Sequence, residues 1–351
     1  MPLKNLLEKT WNGNLLFSAL VELTYRCNLD CFYCYNDLGQ RGESLSDQQY
    51  FGFFEDLAAL QVMNLTFTGG EPLAHPSFLA LGRKARELGF VLRIKSNGHA
   101  LRGELAEKVR RELDPFLIEI SLHGATAATH DRQTRIPGSF ERLIGNLGEL
   151  RALGQRIKLN ATLTRWNENE IEAMFELADR LGLRLSVSPT VTPRDDGDLG
   201  PLQVAPSDEG IKKLYRLLDS RIPDSEEAAA CTGSPSINKN CGAGASGIAV
   251  DPFGNVYPCV QWRRPLGSLH QQRIGEIWEI SPALVEVRQL NEQAKQRMLA
   301  KGQDAFGLSH CMGISEEKSG DPLADDEMAL KNARLLQETR RERGSLLPVL
   351  R

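Results

Sequence analysis

The sequence of 351 residues lacks a strong excess of charge of either sign and lacks any long apolar run. Its formal net charge of −4 argues against general binding to nucleic acid or to an anionic membrane surface. No stretch reaches the ~18 apolar residues of a transmembrane helix, and Met1-Pro2-Leu3-Lys4 does not begin a secretory signal peptide. We therefore expect neither nucleic-acid nor membrane partners.

Cysteine, in contrast, occurs seven times. Without an export signal, these cysteines indicate a reducing cytosol and metal ligation in place of disulfides, so we expect a cytoplasmic protein. The charged fraction of 25% and the apolar fraction of 41% are ordinary for a globular chain. The length allows one large domain and a smaller second one.

Three of the cysteines, Cys27, Cys31 and Cys34, are separated by three and then two residues. They can supply three thiolates to one metal centre, and no fourth Cys or His lies nearby. Structural zinc sites are normally closed by four protein ligands, whereas an iron–sulfur cube held by three thiolates keeps one iron open for a substrate or cofactor. The spacing favours the iron–sulfur cube, and zinc is the alternative.

A second motif lies in residues 64–73, where an alternating apolar stretch leads into Gly69, Gly70, Glu71 and Pro72. The pattern predicts a strand followed by a turn. The glycines allow backbone groups to approach a ligand closely, and the Glu71 carboxylate is an acceptor for an ammonium group.

Together the two motifs resemble the radical S-adenosylmethionine (radical SAM) superfamily. The resemblance implies that the three cysteines hold a [4Fe–4S] cluster whose open iron is chelated by the amino and carboxylate groups of S-adenosylmethionine (SAM). It also implies that the turn at residues 69–72 binds the methionine ammonium, and that the aromatic Tyr33 packs near the adenine.

The first two hundred residues alternate between strand-like and helix-like segments. Predicted strands cover residues 16–23, 65–68, 91–98, 117–124, 158–163 and 183–188. Predicted helices cover residues 47–60, 80–88, 104–112, 140–153 and 168–181. Ser46 and Gln49 predict a capping box at the start of the first of these helices. The alternation is typical of βαβ units on a parallel sheet, and the six units predict a partial (β/α)6 barrel, as the resemblance also implies.

In parallel barrels the reactive end lies where the strands run into the following loops, and polar residues concentrate at those positions here. The resemblance implies that Ser96, Asn97 and the strand end at Ser121 contact the methionine carboxylate and the ribose of SAM. A simple turn formed by Asn97 and Gly98 is the alternative.

Three histidines, His99, His123 and His130, lie near the predicted barrel mouth. A lone histidine in a loop is more often a hydrogen-bonding or surface residue than a general base, so we assign no chemistry to His99 or His130. The segment around His130 is interpreted as a loop followed by a helix cap. His123 is the histidine that we consider for substrate contact.

The strand–helix alternation ends between about residues 189 and 225, where turn-forming residues are frequent. The other four cysteines follow, at Cys231, Cys241, Cys259 and Cys311. Two short apolar strands joined by a turn at Gly254 and Asn255 predict a hairpin that brings Cys241 toward Cys259. Buried free cysteines are the alternative.

The hairpin resembles the auxiliary-cluster domains called SPASM or twitch, which follow the barrel in many radical SAM enzymes. Cys241, Gly242, Gly254 and the run Tyr257-Pro258-Cys259 match their pattern. The resemblance implies that the later four cysteines, Cys231 included, hold one auxiliary [4Fe–4S] cluster. The downstream group of closely spaced cysteines in the longer SPASM pattern is reduced here to Cys311, so we expect one auxiliary cluster and not two.

We expect four segments along the chain. They are an N-terminal segment (1–15), the radical SAM barrel (16–205), a SPASM/twitch-like auxiliary domain with the hairpin (206–325) and a C-terminal helix (326–351). The segment before the first strand is too short for a fused peptide-recognition domain. The charged pattern from Asp326 to Arg340 predicts a solvated helix packed across the barrel, with a partner-docking element as the alternative.

The resemblance implies an enzyme that reductively cleaves SAM to a 5′-deoxyadenosyl radical and abstracts hydrogen from a substrate. Such barrel-plus-auxiliary enzymes commonly modify ribosomally synthesised peptides or proteins, so we expect a precursor peptide as the substrate. The auxiliary cluster would assist electron transfer or substrate positioning. A reductant such as flavodoxin or ferredoxin and a separate peptide-recognition protein are the expected partners.

Two other functions stay open on the sequence alone. One is a small-molecule or cofactor-biosynthesis enzyme of the same superfamily. The molybdopterin-pathway cyclase of that kind ends in Gly-Gly, whereas this sequence ends in Leu350-Arg351. The other is an iron–sulfur electron carrier or redox sensor, which would need neither the Gly-Gly-Glu-Pro turn nor an open iron.

Overall fold

A computed structural model describes residues 3–221, 237–301 and 310–342. Within these residues, nine strands form one sheet in the order β6-β5-β4-β3-β2-β1-β7-β8-β9. The strands are β1 (Ser18–Thr24), β2 (Asn64–Gly69), β3 (Val91–Ser96), β4 (Leu117–Ser121), β5 (Ile157–Thr162), β6 (Arg184–Ser188), β7 (Gly247–Val250), β8 (Asn255–Tyr257) and β9 (Gly267–Ser268).

Helices connect the strands and cover the outside of the sheet. They are α1 (Leu3–Asn12), α2 (Asp47–Ala59), α3 (Phe78–Glu87), α4 (Gly103–Lys108), α5 (Ala127–Thr134), α6 (Ser139–Ala152), α7 (Ile171–Arg180), α8 (Asp208–Arg221), α9 (Ile274–Ile280), α10 (Pro282–Ala300), α11 (Met312–Ser319) and α12 (Glu327–Glu342). The predicted capping box at α2 is confirmed, because Ser46 Oγ accepts the backbone N–H of Gln49 and the Gln49 side chain accepts that of Ser46.

Strands β1 to β6 are parallel to their neighbours and follow one another in chain order. Each overlaps the strand predicted from its apolar pattern, and a helix crosses back between each pair. The predicted α/β fold with a parallel barrel sheet is therefore confirmed.

Alternation along these strands separates a hydrophobic core from a polar lumen. Phe67, Ile94, Ile118 and Leu159 are fully buried in the core between the sheet and the helices. The alternate positions face the lumen. They are Thr66, Thr68, Arg93, Lys95, Glu119, Ser121, Lys158, Asn160, Arg184 and Ser186.

The predicted hairpin is strands β7 and β8, which pair antiparallel. The Asp251 carboxylate shapes the turn by accepting the backbone N–H groups of Phe253 and Asn255, and Gly254 adopts φ +76°. Strand β7 also pairs in parallel with β1, so the hairpin extends the barrel sheet.

The segment around His130, which we predicted as a loop, is helix α5 in the structure. Thr126 begins this helix because its hydroxyl accepts the backbone N–H of Thr129. The predicted helix cap is present, since the Asp131 carboxylate accepts three hydrogen bonds from residues 138–140 at the start of α6.

The predicted C-terminal helix corresponds to α12, which packs against α8. Ion pairs join the two helices, with Lys212 Nζ 2.7 Å from Glu338 and Lys331 Nζ 2.5 Å from Asp208. None of the described helices is both long enough and apolar enough to cross a membrane.

Candidate active site

A cavity of about 540 Å³ lies at the carboxyl ends of the barrel strands. The parallel strands bring distant motifs together there, because their carboxyl ends meet at one edge of the sheet. Of the residues predicted to bind the cluster and SAM, those that line the cavity are Cys27, Cys31, Cys34, Tyr33, Gly69, Gly70, Ser96, Asn97 and Ser121. Glu71 and Pro72 are buried behind this wall.

The three cysteines lie in the loop that follows β1. Burial raises the pKa of all three thiols, in Cys34 to about 11. The negative charges of Cys34 and Cys27 raise the pKa of Cys31 further. Three neighbouring thiolates therefore need the positive charge of a bound metal centre. An all-sulfur donor set of this kind fits an iron–sulfur cluster.

The Gly-Gly turn contacts the cysteine loop through its backbone. Gly70 donates its N–H to the Thr24 carbonyl at 2.8 Å. A side chain at Gly69, where φ is +124°, would place its Cβ 2.4 Å from the Thr24 carbonyl oxygen, and one at Gly70 would place its Cβ 2.7 Å from that of Arg26. Only glycine fits at both positions, so these residues hold the turn against the cysteine loop.

The Glu71 carboxylate is 2% exposed and points toward the end of β3. It accepts the Ser96 hydroxyl at 2.9 Å and the backbone N–H of Asn97 at 2.8 Å. Burial raises the pKa of Glu71 to about 7. Glu71, which lies behind the cavity wall, therefore orients Ser96 and Asn97.

Asn97 connects the end of β3 to the cysteine loop. Its side-chain amide donates to Asn28 Oδ1 at 2.7 Å and lies 3.9 Å from Cys27 Sγ. Its Oδ1 accepts the backbone N–H of His99 at 3.0 Å. A simple turn dipeptide would need none of the contacts to the cysteine loop, so Asn97 has a structural part in the site.

Tyr33 and His123 form one wall of the cavity. The Tyr33 hydroxyl is hydrogen-bonded to His123 Nδ1, and the two rings meet edge to face at 5.6 Å. Burial lowers the pKa of His123 well below its usual range, so the imidazole is neutral. His123 thus lines the cavity, as we considered from the sequence, and fixes the Tyr33 ring.

The other two histidines lie outside the cavity wall. His130 Nδ1 accepts the backbone N–H of His123 at 3.2 Å, and burial lowers the pKa of His130 to about 4. Both ring nitrogens of His99 are buried without a hydrogen-bond partner among the described residues.

Three of the four later cysteines, Cys241, Cys259 and Cys311, are free thiols near enough to influence one another electrostatically, while Cys231 lies outside the described residues. Burial raises the pKa of Cys241 to about 12, and the charges of Cys259 and Cys311 raise it as well. Asn291 holds the backbone of Cys241, accepting its N–H at 3.1 Å and donating to its carbonyl at 3.0 Å. This sulfur-rich group also fits an iron–sulfur cluster.

The auxiliary cysteines lie next to the active-site cavity. Val260 and Gln261, which directly follow Cys259, line the same cavity as the first three cysteines. A substrate in this cavity would therefore lie beside the first three cysteines and beside the residues that follow Cys259.

A buried ion-pair cluster joins the barrel to the hairpin region. The Arg263 guanidinium lies 2.8 Å from Glu22 on β1 and 3.0 Å from Asp195. The side chains of Glu22 and Asp195 are 0% and 4% exposed. Burial raises the pKa of Glu22, and the positive charge of Arg263 opposes that rise. One cation therefore pairs with two buried carboxylates from different parts of the chain.

Sequence reasoning did not single out Arg263, Glu22 or Lys95. Arg93 and Lys95 occupy alternate positions of an otherwise apolar strand. This alternation indicates that one side of the strand faces a polar lumen. No local pattern pairs Glu22 with Arg263, because 241 residues separate them.

Comparisons with known proteins agree with this geometry. The sequence pattern of the radical SAM superfamily matches residues 21–178, and that of SPASM, an iron–sulfur cluster-binding domain, matches residues 241–301. The chain is 30% identical to the mycofactocin maturase MftC of Mycobacterium ulcerans over 76% of each chain. It is 28% identical to the PqqA peptide cyclase of Ruegeria pomeroyi over 90% of this chain and 87% of that protein. It is 27% identical to the AdoMet-dependent heme synthase of Methanosarcina barkeri over 77% of this chain and 84% of that protein.

Solved structures have the same fold. Native anSMEcpe with bound AdoMet, which is SAM, superposes with a TM-score of 0.72 at 16% identity, covering 93% of this chain and 98% of that one. Streptococcus suis SuiB bound to the precursor peptide SuiA gives a TM-score of 0.64 at 14% identity, covering 90% of this chain and 76% of that one.

The chain therefore belongs to the radical SAM superfamily. Its SPASM region places it among the members with auxiliary iron–sulfur clusters. It is an enzyme whose cofactors are SAM, a [4Fe–4S] cluster that binds SAM, and auxiliary iron–sulfur. The zinc site and the electron carrier considered from the sequence do not fit this family.

Proposed function

We propose that this enzyme is a maturase that abstracts hydrogen from a ribosomally synthesised precursor peptide or protein. The observation that carries the proposal is the single cavity lined both by the first three cysteines and by Val260 and Gln261 beside Cys259. A side chain inserted there would be adjacent to both cluster sites.

Cys27, Cys31 and Cys34 would hold the SAM-binding [4Fe–4S] cluster, which, once reduced, supplies the electron that cleaves SAM to a 5′-deoxyadenosyl radical. The backbone of the turn at residues 69–72 would bind the methionine ammonium. Its neighbours in the cavity wall would contact the methionine carboxylate and the ribose. These neighbours are Ser96, Asn97 and Ser121.

The adenine would pack against Tyr33. Because the hydroxyl of Tyr33 is hydrogen-bonded to His123, the ring is held in one orientation before SAM binds. Strand ends and residues beside the hairpin border the cavity, and a substrate bound against them would help to keep water away from a reactive radical.

The relatives support a peptide substrate. The PqqA peptide cyclase is named for a peptide, and the SuiB structure contains a precursor peptide. A reductant such as flavodoxin or ferredoxin would deliver electrons to the first cluster. We further propose that a separate protein recognises the peptide leader, and that the enzyme acts in the cytoplasm, in agreement with its cysteine content.

Cys241, Cys259 and Cys311, with Cys231, would hold one auxiliary [4Fe–4S] cluster, which assists electron transfer or substrate positioning. We retain residues 16–205 as the catalytic barrel and 206–325 as the auxiliary domain. The hairpin of that domain is hydrogen-bonded to β1, so the two cluster sites share one continuous sheet.

A tetrapyrrole is the second candidate substrate. It is favoured by the similarity to an AdoMet-dependent heme synthase, a cofactor-biosynthesis enzyme. The cationic side chains in the barrel lumen would suit the carboxylates of such a molecule as well as those of a peptide.

The proposal is tested with anaerobic, cluster-loaded enzyme, SAM, a reductant and short peptides encoded beside its gene. We expect release of 5′-deoxyadenosine, together with a peptide that has lost two hydrogen atoms for each bond formed, measured by mass spectrometry. A reaction that consumes a porphyrin carboxylate and leaves every such peptide unchanged would contradict the peptide proposal.

Binding of SAM is expected to strengthen as the pH rises. Burial raises the pKa of Glu71 from 4.5 to about 7, so ionising this carboxyl lowers the stability of the SAM-free protein as the pH rises toward 7. An ammonium group bound at the adjacent turn stabilises the ionised carboxylate. The dissociation constant for SAM should therefore fall about tenfold between pH 6 and pH 8, as measured by calorimetric titration.

The matched variant is Glu71→Gln, which keeps the size of the side chain and removes its titration. We expect weaker SAM binding in this variant with little dependence on pH. An equally steep pH dependence in Glu71→Gln would show that another group is responsible.

A further inference from the structure

The lumen of this barrel is polar and contains open space. Larger parallel barrels fill the interior with layers of branched apolar side chains. Here polar and charged side chains occupy the lumen-facing positions, and the cavity reaches down among them to Leu20, Lys95 and Ser186. Such a lumen is suited to receive a polar group of a substrate.

Lys95 lines the cavity and has no counter-charge among the described residues. Its partner in register on β4 is Glu119. That carboxylate is already engaged, since it lies 3.5 Å from Arg93 and accepts the Asn160 amide at 2.5 Å. Lys95 makes no hydrogen bond or ion pair with any residue in the described part of the chain, and its side chain is exposed to the cavity.

Lys95 also shares the cavity with the first three cysteines and with residues next to Cys259. It lines the cavity together with Cys27 and Gln261. The neighbouring Ser96 also lines the cavity, but its hydroxyl is engaged by the Glu71 carboxylate.

We infer that Lys95 binds a carboxylate of the substrate and thereby selects which part of a peptide enters the barrel. This inference rests on the proposed peptide substrate. An ammonium that faces the cavity without a counter-charge offers three hydrogen-bond donors to an anion. The carboxylate is either the C-terminus of the peptide or an Asp or Glu side chain.

Protection of Lys95 from acetylation tests the site directly. Anaerobic, cluster-loaded enzyme with SAM is treated with a limiting amount of an N-hydroxysuccinimide acetate, and labelling of Lys95 and Lys158 is measured by mass spectrometry. Three mixtures of N-acetylated tetrapeptides are compared. The first has free C-terminal carboxylates and no Asp or Glu, the second is the same mixture amidated, and the third is amidated and contains one Asp or Glu.

We expect the first or the third mixture to slow acetylation of Lys95 about fivefold at saturation, with no effect of the second mixture and no effect on Lys158. Protection by the first mixture identifies a terminal carboxylate, and protection by the third identifies a side chain. Protection by SAM alone, or no protection by any carboxylate, would overturn the inference and leave the proposed function intact. Protection by a porphyrin tetracarboxylate and by no peptide would retain the carboxylate site and reject the peptide substrate.

Variants separate the charge of Lys95 from its size. Lys95→Met should weaken binding of the protecting peptides about tenfold, measured by ultrafiltration and mass spectrometry, while Lys95→Arg should retain binding. The matched control is Lys158→Met, which removes the same charge from a lumen position that does not line the cavity. An unchanged SAM-dependent electron paramagnetic resonance spectrum in Lys95→Met shows that the variant is folded. Equal losses in Lys95→Met and Lys158→Met would overturn the inference.

Discussion

Replacing Cys27, Cys31 and Cys34 together by Ala is expected to abolish 5′-deoxyadenosine formation and to lower the iron content from about eight to about four atoms per chain. The three thiols share one loop against the Gly-Gly turn, and burial and mutual repulsion make their thiolates dependent on bound metal. Removing all three ligands leaves nothing at this position that can hold a cluster. Iron and sulfide analysis of anaerobically reconstituted protein measures the loss.

The matched control is the replacement of Cys241, Cys259 and Cys311 by Ala. This variant should also lose about four irons, but SAM should still perturb the electron paramagnetic resonance spectrum of the remaining cluster. The two variants therefore lose the same amount of iron and differ in their response to SAM. A response to SAM that disappears only with the later cysteines would contradict the assignment of the two sites.

Replacing Arg263 by Leu is expected to lower the thermal midpoint of the SAM-free holoenzyme by about 5–10 °C, since removing one member of a buried ion pair costs ~3–5 kcal/mol. Arg263 is the cation between Glu22 and Asp195, and both carboxylates are buried. Without it they are left without a counter-charge between the barrel and the hairpin region. Differential scanning calorimetry measures the change.

The pH dependence of this loss has a definite sign. Burial already raises the pKa of Glu22 and of Asp195 in the folded protein. Removing Arg263 raises them further, so the folded variant holds protons more tightly than the unfolded chain and regains stability as the pH falls. The difference from the parent enzyme should therefore be larger at pH 8 than at pH 6.

Arg273→Leu is the matched control for Arg263→Leu. Arg273 also bridges the two parts of the chain, since it pairs with Asp56 on α2, but its side chain is 76% exposed. Because water screens such a pair, the thermal midpoint should hardly change. Similar losses in the two variants would show that burial of the Arg263 cluster is not what matters.

The two motifs that indicate the cofactors could be recognised in the sequence because each lies within a short stretch of the chain. Cys27, Cys31 and Cys34 lie within eight residues, and the Gly-Gly-Glu-Pro turn is continuous in the chain. The strands were equally readable, since a strand buried on its helix-facing side leaves an alternating apolar pattern. Helix α5 was missed because its short sequence is rich in polar residues and has no apolar stripe.

The position of Glu71 shows the limit of a local motif. The motif identifies a carboxylate next to two glycines, and the sequence assigns it directly to an ammonium. In the structure the carboxylate is turned toward Ser96 and Asn97, because the end of β3 supplies donors that satisfy it in a buried position. The motif thus predicted the right turn, while the neighbouring strand decided where its side chain points.

The amino-acid sequence by itself determined the superfamily, the two groups of cysteines and the alternation of strands and helices, because these depend on spacing over a few residues. Only the tertiary structure decided that β7 joins the barrel sheet, that Arg263 neutralises Glu22 across the chain, and that Lys95 faces the cavity without a counter-charge. Contacts of this kind depend on how distant segments pack. Many pairings of distant strands and side chains are compatible with the same local sequence pattern, and the packing of the core selects one of them.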